Sequence, residues 1–334
     1  MMRPSKVSMN KEYFQTLKSA ETEDWLDFHV IRPFCFQLAR FFNRFDVHPN
    51  TITVASMFIG AASAWFFAQG CFYYGGTLGL VYNLIGIFLL MWADFFDCTD
   101  GQLARLSGKK SHVGRILDGV AGFTWFTPIY VAFVWRFYHH HELEFSWLGI
   151  SDTPENVWIA TAVVFVLGVI SGITGLAGQQ RLADYYIQVH LFFLKGEKGS
   201  ELDNSARQRE ILEQMPNDAP AYERLFQKSY VDYTIKQEKA TPQFQRLMTK
   251  LREKFGSADQ MPEALRNEFH DHSLSLMKWN GLLTFNFRSF WMFLFCLLDI
   301  PVMNFVFEII AMGLLTSFVR HRHETFSKAI ADKI

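Results

Sequence analysis

The chain has 334 residues, half of them hydrophobic, and it includes 35 Phe and 9 Trp. Phenylalanine is far more frequent here than in ordinary soluble proteins, and such a composition suits a surface that faces lipid. The formal net charge of -1 gives no electrostatic reason to expect a nucleic-acid partner. These totals favour an integral membrane protein and argue against a nucleic-acid-binding one.

The segment before the first apolar run predicts an amphipathic helix. Residues 24–46 mix large apolar side chains with Arg32, Arg40 and Arg44. This spacing suits a helix in the plane of the lipid headgroups, with Pro33 as a break or bend. A helix packed against the rest of the protein is the alternative.

Six apolar runs follow, each close to the roughly 20 residues that a helix needs to cross hydrocarbon, with the first and the last two somewhat short. They cover about residues 52–68, 77–96, 116–137, 157–177, 282–298 and 302–319. Basic residues concentrate in the loops after the second, fourth and sixth runs, which places both termini on the cytosolic side. We therefore predict an all-α integral membrane fold with six transmembrane helices, plus the N-terminal amphipathic helix and a helical cytosolic insertion.

The same features divide the chain into five segments. They are a cytosolic N-terminus with its interfacial helix (1–50), four transmembrane helices (51–180), a charged helical insertion (181–278), two further transmembrane helices (279–320) and a cytosolic tail (321–334). Prolines punctuate the helical patterns of the insertion. A solvated cap is its simplest interpretation, and a regulatory, docking or oligomerising role is the alternative.

Three carboxylates near the cytosolic end of the second run carry the clearest chemical signal. Asp97 and Asp100 are three residues apart, so they share one helical face. Asp118 can face them only if a short loop reverses the chain, and Gly108 and Gly114 could supply that reversal. Hard oxygen ligands suit divalent cations, which predicts a metal-dependent phosphate site where two membrane helices meet the cytosol.

Small and basic residues beside these carboxylates support that interpretation. Gly101 and Ala104 leave room for a ligand to approach the backbone, and Arg105 suits bidentate contact with a phosphate. The alternative is a salt-bridged rim in which the carboxylates pair with Arg105, Lys109 and Lys110. The order of these residues at a membrane boundary favours the phosphate and metal site.

The motif Asp97-x2-Asp100-Gly101-x2-Ala104-Arg105-x8-Gly114-x3-Asp118 closely resembles the signature of the CDP-alcohol phosphotransferases. The resemblance covers about residues 48–180 and includes the sequence Pro49-Asn50-Thr51-Ile52-Thr53 at the start of the first run. It does not extend to the insertion.

The resemblance implies transfer of a phospho-alcohol from a CDP-linked donor to an alcohol or lipid acceptor, with release of CMP, in phospholipid synthesis. Family members use two Mg2+ or Mn2+ ions and commonly form homodimers in the membrane. By position, the metal ligands would be Asp97, Asp100 and Asp118. The residues facing the cytidine diphosphate would be Gly101, Ala104, Arg105 and Gly114. The expected location is a bacterial inner membrane, with the active site on the cytosolic side.

One position departs from the family signature. A fourth Asp, usually assigned as the base that deprotonates the attacking hydroxyl, corresponds here to Gly122. Loss of a general base typically costs on the order of 10²–10⁴-fold in rate. Three explanations stay open: an inactivated variant of an ordinary enzyme, a different base such as Asp94 or His112 (or an acceptor already ionised), or a protein that binds nucleotide or lipid without reacting.

Two ionisable residues fall inside the last two apolar runs. Arg288 lies in the fifth run and Glu308 in the sixth, and a charge within a membrane span is a functional candidate by default. Arg288 could contact the phosphate of a lipid or of an acceptor headgroup. An interhelical pair between Arg288 and Glu308 is the alternative.

Overall fold

A computed structural model describes residues 11–216 and 218–334, apart from the side chains of Lys11, His112, Arg115, Ile116 and Lys198. This described part is helical, with connecting turns and no β-strand. The chain divides into two compact units, Met1–Thr161 with Cys296–Asp299 and Ala162–Phe295 with Ile300–Ile334. The all-helical class predicted from the sequence is confirmed.

The described residues of the first unit form six complete α-helices and one π-helical stretch, Asp27–Ile31. The α-helices are α1 (Lys11–Thr16), α2 (Arg32–Arg44), α3 (Pro49–Gln69), α4 (Phe72–Ser107), α5 (His112–His139) and α6 (Glu142–Leu148). Gly60 of α3 lies directly against the ring of Trp125 on α5, so that any larger side chain would collide with the indole. Small residues of this kind let membrane helices approach closely.

Helix α7 (Pro154–Lys195) begins in the first unit and continues into the second. The remaining helices are α8 (Ser205–Glu213), α9 (Ala221–Ala240), α10 (Pro242–Phe255), α11 (Glu263–Gly281), α12 (Phe285–Leu297) and α13 (Met303–Lys333). A single π-helical stretch interrupts α7 at Gly172–Gln180 and another interrupts α13 at Glu308–Met312.

Five described helices are long and apolar enough to cross a membrane, one fewer than the sequence predicts. They contain Pro49–Gln69, Phe72–Ser107, Leu117–His139, Pro154–Lys195 and Met303–Lys333. The missing one is the predicted fifth span, where α12 has only 13 residues. At 1.5 Å per residue such a helix is about 20 Å long, against roughly 30 Å of hydrocarbon. The protein is thus a multi-pass membrane protein, but a count of six spans is not confirmed.

The segment 181–278 is helical, as its sequence patterns predict. It contains α8, α9, α10 and α11. Residues of α10 three and four apart are buried, which is the spacing of one helix face. The predicted starts of this segment and of the C-terminal tail both lie within continuous helices, because α7 runs on to Lys195 and α13 to Lys333.

Helix α2 has two different faces. Phe36 and Ala39 are buried, whereas Phe34 and Phe41 are exposed. The π-helical stretch Asp27–Ile31 directly precedes Arg32, so Pro33 lies inside a continuous helical segment, and the change of hydrogen-bond pattern falls just before it. The buried face supports packing against the protein, and the exposed phenylalanines are compatible with lipid, so the location among headgroups stays a prediction.

None of the four cysteines forms a disulfide. Cys35, Cys71 and Cys296 are buried and Cys98 is partly buried.

Candidate metal and nucleotide site

The length of α4 carries the aspartates beyond its apolar part. The helix breaks at Gly76 (φ 52°), and the 31 residues from Thr77 to Ser107 give about 46 Å of continuous helix, well over the roughly 30 Å of a hydrocarbon core. Asp97 and Asp100 lie in the last three turns of this helix. The apolar part after Gly76 and the carboxylates therefore belong to one continuous helix.

The chain reverses immediately after α4. Gly108 has a φ of 71°, in the left-handed region that favours glycine, and it ends the helix. Helix α5 begins four residues later, and its N-cap Ser111 accepts a hydrogen bond of 2.9 Å from the backbone N–H of Gly114. Of the two glycines that could supply the reversal, only Gly108 lies in it; Gly114 is already helical.

Gly114 is not part of the reversal, but its lack of a side chain leaves space for two neighbouring polar groups. A Cβ atom built there would lie 2.8 Å from Asn50 Oδ1 and 2.9 Å from Ser111 Oγ. Asn50 comes from the first turn of α3, so Gly114 allows α3 and α5 to meet beside the carboxylates.

The reversal brings the three predicted metal ligands together. The charge of Asp118 on α5 acts on both Asp97 and Asp100 of α4. Asp100 is 5% exposed, Asp97 is partly buried and Asp118 is exposed, so the group extends from the protein interior to its surface. Three like charges in one place repel one another unless a cation compensates them.

Asp100 and Asp97 differ in whether their side-chain oxygens have hydrogen-bond partners. Asp100 accepts a hydrogen bond from the hydroxyl of Thr53 on α3, and that hydroxyl lies 3.3 Å from the carbonyl of Pro49. The Oδ1 atom of Asp97 is buried and has no hydrogen-bond partner within the described part of the chain. An unpartnered buried carboxylate oxygen beside two further carboxylates fits a divalent cation, because such ions take oxygen ligands.

Arg105 lies one turn beyond Asp100 and Gly101. Its Nε donates to the backbone carbonyl of Thr16, just after α1, and its charge acts on Asp100. A Cβ atom at Gly101 would lie 3.4 Å from the Arg105 guanidinium, so the two positions are in contact. The predicted salt-bridged rim finds little support, since Lys109 Nζ lies instead 2.5 Å from Asp46 Oδ1.

The two candidate replacements for the missing base are placed differently. Asp94 lies one turn before Asp97, where the charges of Asp24, Asp27 and Arg32 act on it. Arg32 in turn bonds Glu23 at 2.9 Å. Asp94 therefore faces the N-terminal segment as well as Asp97.

Gly122 lies one turn after Asp118 on α5 and is partly buried. The side chain of His112 falls outside the described residues. These positions do not favour either Asp94 or His112 as the general base, and the choice of base stays a prediction.

Arg288, the predicted contact for an acceptor phosphate, lies in the second unit and is fully buried. Its NH1 atom lies 2.6 Å from Glu308 Oε1, and its NH2 atom donates to Gln179 Oε1 at 3.0 Å. Ser171 donates to the same Glu308. The interhelical pair that the sequence left open is present, and a role toward an acceptor stays a prediction.

Sequence reasoning assigned no role to Thr53 or Asn50. Both belong to the run Pro49–Thr53 that begins α3, and both reach the residues of the aspartate motif. The sequence did contain a signal for this role. Asn50 and Thr53 are polar residues within one turn of each other at a helix start, in a chain with a carboxylate cluster.

Residues 46–180 match the family model described as CDP-alcohol phosphatidyltransferase. No curated protein and no solved structure gives a match to the chain. The matched range contains α3, α4 and α5 with Asp97, Asp100 and Asp118, and it ends within α7. The resemblance of the sequence motif to this family is therefore confirmed over residues 46–180.

Proposed function

We propose that the protein is a membrane CDP-alcohol phosphotransferase, which transfers a phospho-alcohol from a CDP-linked donor to an alcohol acceptor and releases CMP. The observation that carries the proposal is the convergence of Asp97, Asp100 and Asp118 from two helices within the matched range. The donor would be CDP-diacylglycerol or a CDP-linked headgroup. The acceptor would then be a small alcohol or a lipid alcohol, on the cytosolic side of the membrane.

The carboxylates suit two Mg2+ or Mn2+ ions, with Asp97, Asp100 and Asp118 as ligands. When bound, such ions would neutralise a pyrophosphate and stabilise departing CMP. Thr53 would hold Asp100 in one orientation through its hydroxyl. This contact leaves the second oxygen of Asp100 for a cation.

Arg105 and the small residues beside it would bind the nucleotide. The guanidinium presents several donors, of which the Nε–H is directed at the Thr16 carbonyl. A phosphate would therefore compete with, or add to, that backbone contact. Gly101 and Ala104 on the same helix would let the cytidine approach the backbone.

The proton of the attacking hydroxyl needs an acceptor other than residue 122, which is glycine. Asp94 and His112 are the candidates on the neighbouring turns. An acceptor that is already ionised would need neither.

The test is release of CMP by the purified full chain with Mn2+, CDP-diacylglycerol and a panel of alcohols. We expect release that depends on both Mn2+ and acceptor, and that falls by more than about 100-fold in Asp97→Asn and Asp100→Asn, a loss on the scale of removing one catalytic group. Glu155→Gln, an exposed carboxylate on α7, serves as the matched control. CDP binding without CMP release under any condition would refute the transferase.

A non-catalytic nucleotide- or lipid-binding protein is the second candidate, favoured by Gly122. The substitution Gly122→Asp separates the two explanations. A disabled enzyme gains CMP release on this change, an enzyme that uses another base is little affected, and a binding protein stays inactive while it still binds CDP.

We also propose a test for Arg288. If it binds an acceptor phosphate, the double variant Arg288→Met, Glu308→Met should fold and yet raise the KM for the acceptor. If the pair is only structural, the double variant keeps its KM, because removal of both partners leaves no unpaired buried charge.

A further inference from the structure

The short helix α1 contacts Arg105, the residue predicted to bind the phosphates of the donor. Arg105 lies in the last turn of α4, and its Nε donates to the backbone carbonyl of Thr16, the last residue of α1. Thr16 is 1% exposed and Tyr13, on the same helix, is 2% exposed. A helix of six residues is not stable on its own, so α1 is held in place by its contacts with the rest of the first unit.

Tyr13 and Leu17 hold α1 against α2. Tyr13 packs edge-on against Phe36, with ring centroids 5.4 Å apart, and its hydroxyl donates to the carbonyl oxygen of Phe28 at 3.3 Å. Leu17 joins Tyr13 and Phe36 in a small apolar cluster. Displacement of α1 would expose these side chains to water, and their burial therefore keeps the Thr16 carbonyl beside Arg105.

The other end of the Arg105 guanidinium lies against Gly101. A Cβ atom built at Gly101 would be 3.4 Å from NH2 and 3.6 Å from NH1 of Arg105. Gly101 directly follows Asp100 in the chain, and the charge of Arg105 acts on Asp100. The guanidinium is therefore held at Nε by α1, while its two terminal nitrogens lie beside the aspartate motif.

The contact at Nε affects what the rest of the guanidinium can bind, because its donors form one rigid, planar fork. A carbonyl that accepts from Nε fixes the direction of the whole group. The two terminal nitrogens can then present parallel N–H groups to an anion, which is the geometry of a bidentate phosphate contact. Without that carbonyl, the long side chain would lose more rotational freedom when the phosphate binds.

We propose that α1 is a positioning element of the nucleotide site, in which the Thr16 carbonyl orients Arg105 toward the diphosphate of the donor. The proposal rests on the function proposed above, because it takes Arg105 to bind phosphate. Phosphate binding then adds to the Thr16 contact and does not replace it. Helix α1 lies outside residues 46–180, so this element is not part of the range that matches the family model.

The affinity for CDP should therefore depend on side chains that do not touch the nucleotide. Tyr13 and Leu17 act only through α1 and Arg105, so their truncation should weaken CDP binding. Binding of Mn2+ without CDP should stay unchanged, because the carboxylates keep their places on α4 and α5. A helix that blocked Arg105 would give the opposite result, which is tighter CDP binding when α1 is released.

The experiment measures the dissociation constant of CDP for the purified full chain in excess Mn2+, a readout that needs no turnover. We expect Tyr13→Ala to weaken CDP binding by about 10-fold or more, the scale of one charge-assisted hydrogen bond. Arg105→Gln should weaken it as well. The double variant Tyr13→Ala, Arg105→Gln should bind CDP no more weakly than Arg105→Gln alone, because Tyr13 acts through Arg105. An effect of Tyr13 on folding alone would instead add to that of Arg105→Gln.

Phe14→Ala is the matched control, since Phe14 is the neighbouring aromatic residue on α1 and is 49% exposed. It should bind CDP as the unmodified chain does. Unchanged or tighter CDP binding in Tyr13→Ala overturns this proposal alone, and so do additive effects in the double variant. If Tyr13→Ala does not fold, Leu17→Ala, a smaller truncation in the same cluster, decides by the same criteria. No CDP binding by the unmodified chain would refute the nucleotide site itself, and both proposals with it.

Discussion

The hydroxyl of Thr53 is the smallest group on which the proposed chemistry depends. It donates to Asp100, whose side chain is otherwise almost enclosed. Residues that orient a metal ligand typically change metal affinity or activity by about 10–100-fold when they are removed.

Thr53→Val should therefore raise the Mn2+ concentration needed for half-maximal CMP release by about 10-fold or more. Thr53→Ser keeps the hydroxyl and should stay close to the unmodified chain. Thr51→Val, an exposed threonine of the same helix turn, is the control. An unchanged Mn2+ requirement in Thr53→Val would show that the contact does not orient Asp100.

Arg136 is a second residue with a large expected effect, through folding rather than chemistry. Its side chain is 2% exposed, pairs with Asp299 and donates to Asn83 Oδ1 at 3.0 Å. It also donates to the carbonyl oxygen of Cys296 at 3.2 Å. Asp299 in turn accepts from the backbone N–H of Phe72 at 2.9 Å, so the pair ties the start of α4 to the residues after α12.

Arg136→Met should destabilise the protein by about 3–5 kcal/mol, since it leaves the carboxylate of Asp299 buried without its partner. The double variant Arg136→Met, Asp299→Asn should recover part of that loss. Thermal unfolding in detergent measures both. Arg246→Met removes an ion pair with Asp332 in which both side chains are about half exposed, and it should change stability by about 1 kcal/mol at most. Equal effects of Arg136→Met and Arg246→Met would contradict the expectation.

At the scale of single elements, we expect the short helix α6 to make the stability of the first unit depend on pH. Burial raises the pKa of Glu144 from 4.5 to about 7, and the charges of Arg136 and His141 oppose the rise. Its Oε2 atom is buried without a hydrogen-bond partner in the described part of the chain. The folded state therefore binds this proton more tightly than the unfolded state does.

The sign of the pH effect follows from that difference. Between pH 4.5 and about 7 the folded state holds more protons at Glu144 than the unfolded state, so stability falls as the pH rises through this window. We expect the melting temperature of Glu144→Gln to decrease less from pH 5 to 7.5 than that of the unmodified chain. Glu155→Gln should keep the original slope. Parallel slopes for Glu144→Gln and the unmodified chain would exclude Glu144 as the source.

At the scale of the whole molecule, local patterns predicted the features that depend on nearby residues. Helical class, the start of α3 and the shared helix face of Asp97 and Asp100 depend on spacing within a turn or two, whereas Asp118 joins them only through the reversal after α4. Gly108 could be predicted to reverse the chain, because helices commonly end at a residue in the left-handed conformation, and that residue is usually glycine.

Other features depend on contacts between distant residues and could not be predicted this way. The bond of Thr53 to Asp100 spans 47 positions, and the pairing of Arg136 with Asp299 spans 163. The length of α12 was overestimated, because an apolar run does not show where a helix ends. In the same way, α7 and α13 continue past the predicted ends of their apolar runs, to Lys195 and Lys333.

The central claim is that Asp97, Asp100 and Asp118 bind divalent cations together. Titration of Mn2+ into the purified chain, followed by the electron paramagnetic resonance signal of free Mn2+, tests this most directly. We predict that CDP and Mn2+ strengthen each other's binding, and that Asp97→Asn, Asp100→Asn and Asp118→Asn each abolish this effect while Glu155→Gln does not. Binding of Mn2+ that is unchanged in all three aspartate variants would contradict the account.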